Sequence, residues 1–131
     1  MPQPGRFSKG RPRRDILDAP GRPFFDSDGD NTAQAMKSSG GFVYFLEVSN
    51  TNTADAYFQM FDAATSDVTV GTTTPSLSIH VPAGDGTLRG SMDMLLPGGI
   101  IFNTAITYSC TTTVTGSGDP STGLVVNAVV G

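Results

Sequence analysis

Tryptophan is absent from this chain, cysteine and histidine occur once each, and only 15% of its 131 residues are charged. The lone cysteine, Cys110, forms no disulfide within the chain, so nothing points to an oxidising compartment. Alternating with threonines, it reads as a buried structural thiol rather than a nucleophile. The lone histidine, His80, lies on the polar side of an alternating segment with Ser76 and Ser78. The local pattern supplies neither the orienting acid nor the nucleophile of a triad, so an exposed strand histidine is expected there. No run approaches the roughly 20 apolar residues that cross a bilayer. Near the N-terminus stand Pro, Gly and Arg where a signal peptide needs an apolar core. The expectation is a soluble, unprocessed chain without membrane partner, cofactor or catalytic residues.

A metal site begins and then fails. Asp26-Ser27-Asp28-Gly29-Asp30-Asn31 spaces its carboxylates as a calcium loop does, but such a loop needs glycine at its sixth position and an acid at its twelfth, where this chain has Asn31 and Lys37. The segment reads as a solvated turn, or as a helix N-terminus at Asn31 before Ala33-Gln34-Ala35-Met36.

Glycine, proline and short polar side chains are what the chain does have. Sixteen glycines and nine prolines leave few uninterrupted stretches for helices, and the abundant Thr, Ser and Asn favour strands and turns. The charge is split along the chain. Residues 1–25 hold six basic residues (Arg6, Lys9, Arg11, Arg13, Arg14, Arg22) against two acidic ones, and the remainder holds two against ten, for a net −4. A basic segment before an acidic domain suggests an acidic partner for the former.

Residues 1–41 carry no sustained apolar period and five of the prolines, Pro2, Pro4, Pro12, Pro20 and Pro23. Because proline fixes φ and biases its predecessor to extended conformations, this reads as an extended arm. Its apolar residues Ile16, Leu17, Phe24 and Phe25 lack local partners and are expected to anchor on a neighbouring surface. Arg11, Arg13, Arg14 and Arg22 are the expected salt-bridge donors to carboxylates of adjacent subunits. Nucleic acid is the disfavoured partner: only Phe7 interleaves the first five cations, and the acidic domain repels a polyanion.

After Gly41 the pattern changes to period two. Phe42 to Val48 predicts a strand with Phe42, Tyr44, Leu46 and Val48 on one face, followed by the turn Ser49 to Thr53 and a second strand, Ala56 to Phe61. Further strands are expected at Val68–Val70, Leu77–Val81, a weaker face of Leu88, Met92 and Met94, Ile100–Thr115 with Ile106, Tyr108 and Cys110 facing one way, and Leu124–Val130. About seven strands in residues 42–131 predict an all-β antiparallel sandwich or jelly-roll-like barrel.

Five phrases carry a family resemblance: Tyr44-Phe45-Leu46-Glu47-Val48-Ser49-Asn50-Thr51-Asn52, Ala56-Tyr57-Phe58-Gln59-Met60-Phe61-Asp62, Ile79-His80-Val81-Pro82-Ala83-Gly84, Pro97-Gly98-Gly99-Ile100-Ile101-Phe102 and Thr111-Thr112-Thr113-Val114-Thr115-Gly116-Ser117. Over about two thirds of its length the chain resembles small bacteriophage virion proteins that decorate or cement capsids. That resemblance implies a structural protein clamping neighbouring major capsid protein subunits, self-associating as a homo-oligomer, assembled in the host cytoplasm and located in the virion. A tail or neck component and a carbohydrate-binding β-sandwich are the rivals. The latter is weakened by the absence of Trp and by the placement of Tyr44, Tyr57 and Tyr108 inside predicted strands.

Overall fold

A computed structural model describes residues 21–131. Eight strands form it: β1 (Arg22–Gly29), β2 (Gln34–Lys37), β3 (Gly41–Asn50), β4 (Ala56–Phe61), β5 (Leu77–Val81), β6 (Gly90–Phe102), β7 (Ile106–Thr111) and β8 (Leu124–Val130). They make two four-stranded sheets, ordered β1-β8-β3-β6 and β2-β7-β4-β5, and every pair is antiparallel. Each link between consecutive strands crosses from one sheet to the other except β4 to β5. That winding order is the jelly roll, a double-sheet sandwich. The two sheets are open, so the expected sandwich is present and a closed barrel is not.

The core between the sheets follows from alternation. β8 turns Leu124, Val126, Ala128 and Val130 inward and leaves Val125, Asn127 and Val129 outside. β7 turns Ile106, Tyr108 and Cys110 inward, as their spacing predicts. The Tyr108 ring stacks on Phe58 of β4 at 5.3 Å and meets Phe24 of β1 edge-on at 5.6 Å, so one aromatic cluster joins both sheets. Its hydroxyl donates to the Asp26 carboxylate on β1, a polar tie between the layers.

The structure corrects the expected boundary at residue 41. Arg22–Gly29 and Gln34–Lys37 are strands of the sandwich, not arm. β1 hides from a sequence reading because Pro23 looks like a breaker, yet an edge strand tolerates proline, and β1 pairs on one side only, with β8. The Asp26–Asn31 segment is neither free turn nor helix start: its first four residues finish β1, and Ala33–Met36 leads into and through β2. Val68–Val70 is not a strand. A single 3-10 turn at Thr65–Asp67 and further turns occupy that region.

Two further departures concern phase. In β3 the pairing slips between Val43 and Phe45 against both neighbours. This bulge turns Val43 inward with Leu46 and Val48, while Phe42 and Tyr44 stack on each other at 6.0 Å. The expected Ile100–Thr115 strand is broken at Asn103–Ala105, where the chain passes from β6 in one sheet to β7 in the other. The Asp62 carboxylate holds that corner, accepting the amides of Asn103 (3.0 Å) and Thr104 (2.7 Å). The β2–β3 corner lies against it: a Cβ at Gly40 would stand 2.5 Å from the Asn103 carbonyl oxygen, so only glycine fits there.

Candidate functional site

The outer faces of the two sheets differ in kind. On the second sheet, five residues pointing away from the core are still completely buried, Gln59, Phe61, Thr107, Ser109 and Thr111, while His80 on the edge strand β5 is exposed. Loops seal them. The Gln59 amide donates to the Thr111 hydroxyl (2.8 Å) and to the carbonyls of Gly116 (3.0 Å) and Thr113 (3.3 Å). The Ser78 hydroxyl donates to Val114 O at 2.6 Å, and that of Thr107 to Ala63 O at 2.6 Å. Polar outward side chains thus act as pegs for the 112–118 and 62–64 segments.

The first sheet has no such cover among the described residues. The pairing registers Pro23 with Val129, Val129 with Phe45, and Phe45 with Leu95, an apolar row crossing all four strands. Alternation puts this row outside, because its neighbours Phe24, Ala128, Leu46 and Met94 occupy the opposite phase. Leu95 is 76% exposed, Phe25 64% and Ile101 57%. With Phe42 opposite Ile101 and stacked on Tyr44, one end of the face is apolar. A contiguous outward group of this size marks an interaction surface, unlike scattered single apolar residues.

The next row carries charge of one sign. Phe25 registers with Asn127, Asn127 with Glu47, and Glu47 with Asp93. Like charges directly opposite each other are unfavourable. Among the described residues the ion pair formed is His80 with Asp55, on the other sheet, so no cation in residues 21–131 relieves Glu47 and Asp93. Arg89 instead donates to the Ser49 hydroxyl at 3.0 Å.

Of the residues expected to bind a partner, Phe25 and Arg22 are exposed on the β1 edge strand. Phe24 is corrected: it packs inward against Tyr108, because its alternation phase matches Ala128. Arg11, Arg13, Arg14, Ile16 and Leu17 lie outside the described residues. Phe45, Leu95 and Val129 were missed by the sequence reading. Alternation marks them as outward, but their assembly into one row depends on register and on the β3 bulge.

His80 is exposed as expected, yet the fold gives it an acid that the local sequence does not. Its Nε2 lies 3.0 Å from Asp55, and His80 together with the Ala83 amide holds the Asp55 carboxyl below the usual carboxylate range. No hydroxyl or thiol hydrogen-bonds the imidazole among the described residues, so this pair lacks the nucleophile of a triad. A cleft beside it, lined by residues including Asn52, Asp55 and Thr112, offers about 40 Å³, room for a water rather than a substrate. The Cys110 thiol is pushed well above its ordinary value, first by burial and then by Asp26 and Asp30, so it stays protonated and inert. Asp26 and Asp30 are engaged within the chain, Asp26 by Tyr108 and the Asp28 amide (2.9 Å) and Asp30 by the Thr32 amide (2.9 Å).

The fold and this surface define an eight-stranded jelly-roll module with one sealed and one open outer face. No family model matches the chain, and no curated protein matches it either.

Proposed function

We propose that this protein is a bacteriophage virion component of the decoration or cement type, which binds neighbouring major capsid protein subunits and stabilises the shell. One observation carries the reading: one outer face of the sandwich is sealed by the chain's own loops while the other presents the apolar row Pro23, Val129, Phe45 and Leu95 to solvent. A module that worked alone would have no use for that asymmetry. Jelly rolls recur in virion proteins, which supports the reading by analogy of fold only. The sequence before Gly21 holds five of the chain's eight basic residues, a composition suited to an acidic partner. Weak contacts of this kind gain strength when many symmetric copies engage one shell.

The test is co-sedimentation with shells assembled from the major capsid protein. The full chain is expected to sediment with shells, and the double variant Phe25→Asp with Leu95→Asp to lose about tenfold or more in affinity, as truncating central contact residues does. If the unaltered chain stays in the supernatant across a wide protein concentration range, the capsid reading is wrong.

A further inference from the structure

The open face is graded along its strands. Phe45, Glu47 and Ser49 follow one another on the outward side of β3, and Leu95, Asp93 and Ser91 stand opposite them on β6. An apolar row, an acidic row and a hydroxyl row therefore succeed one another at about 7 Å, the rise of two residues. Leu95 and Asp93 are exposed, and Phe45 and Glu47 half-buried. Glu47 receives the Asn127 amide at 3.5 Å, a long contact that offsets little of its charge. The three cations in residues 21–131 are placed elsewhere. Arg22 has the inward phase of Phe24, Lys37 donates to the Gly40 carbonyl at 2.8 Å, and Arg89 reaches only the hydroxyl row, at Ser49. With like charges opposed and no cation between them, the acidic row gives nothing to folding.

A second copy fits this pattern poorly. Two open faces brought together on a two-fold axis, with their apolar rows superposed, leave two orientations. An axis along the strands lays acid on acid. An axis along the row lays each acidic row on the apolar end of the other copy, at Phe42, Tyr44 and Ile101. The first arrangement repels, and the second buries carboxylates without a cation. We propose that the occupant of the open face is a different protein surface, whose apolar centre is flanked on one side, about 7 Å away, by arginine or lysine. Its centre covers Phe45, Leu95 and Val129, and its cations pair with Glu47 and Asp93, which fixes the direction in which it docks. This rests on the reading of the open face as a docking surface and names the chemistry of what docks there.

Titration of the isotope-labelled full chain with two extended peptides tests it by amide chemical shifts. Acetyl-Leu-Thr-Leu-Thr-Arg-Thr-Arg-amide carries leucine and arginine on one face at the required spacing, and its counterpart has glutamate for arginine. The arginine peptide is expected to shift the signals of Phe45, Glu47, Asp93 and Leu95 and to bind about fivefold or more tightly than the glutamate peptide, the size of two exposed ion pairs. Glu47→Gln combined with Asp93→Asn should make the two peptides bind alike. Equal affinities in the parent, a preference that survives the double variant, or shifts concentrated at the acidic turns of Asp67 and Asp85 overturn the proposal. So does self-association of the full chain that Leu95→Asp abolishes, since a second copy is then the occupant. Shells of the major capsid protein separate this from the capsid reading. If parent and double variant sediment with shells equally at low and high salt, the proposal fails and that reading stands; if the peptide preference holds while the parent ignores shells, the proposal stands and that reading fails.

Discussion

Tyr108 shows how much one side chain decides in this fold. Its ring fills the centre of the core against Phe58 and Phe24, and its hydroxyl reaches Asp26 in the opposite sheet. Burial, and then the Asp26 carboxylate, push its ionisation far above the ordinary tyrosine value, so at neutral pH it is a neutral donor. Tyr108→Phe keeps the ring and strips the donor from a carboxylate that faces the core side of β1. A loss of about 1–3 kcal/mol is expected, the cost of a partly buried acceptor left without its partner. Urea unfolding followed by far-ultraviolet circular dichroism measures it, and a change near zero would mean that water replaces the hydroxyl freely. Period-two spacing alone puts Tyr108 and Cys110 inside. The bond to Asp26 is invisible to it, because 82 residues separate the partners.

At the level of elements, the corners matter more than the strands. Asp62 closes the β6–β7 crossing by accepting three successive amides, those of Asn103, Thr104 and Ala105. The Asn103 amide and then that of Thr104 hold its carboxyl below the ordinary value of 3.8. Asp85, held low by the Leu88 and Thr87 amides, and Asp55, held low by His80 and the Ala83 amide, behave alike. A carboxyl whose value is lower folded than unfolded stabilises the fold above its unfolded value, and that contribution disappears as pH falls through the folded one. Stability should therefore be flat on this account at neutral pH and fall on acidification below about 4. Asp62→Asn, which keeps the shape and removes the charge, is expected to be less stable than the parent at pH 7. Its deficit should shrink as pH drops through the acid range. Thermal unfolding of both proteins across pH checks this, and parallel curves would deny Asp62 its role at the corner.

For the molecule as a whole, the consequence is a sandwich with inner core, sealed side and open side. Residues on the open side contribute little to folding, since surface changes away from buried features usually fall within about 0.5 kcal/mol. The variant Phe25→Asp with Leu95→Asp should thus unfold at the parent's denaturant midpoint to within that margin while losing shell binding. A large drop in its midpoint would show that the apolar row belongs to the core rather than to an interface.

The sequence by itself determined the class of fold and most of the core: period two in Phe42–Val48, Leu77–Val81 and Leu124–Val130 is a local property of the backbone, and each became a strand. It also marked Cys110 as buried. Only the tertiary structure decided that β1 and β2 belong to the sandwich, because an edge strand with Pro23, or a four-residue strand such as Gln34–Lys37, is stable only when paired with a neighbour far along the chain. The tertiary structure also turned Phe24 inward, inverted the phase at Val43 and Tyr44 through a bulge, and aligned Pro23, Val129, Phe45 and Leu95 into one row. Register is a relation between strands, and no window along one strand contains it.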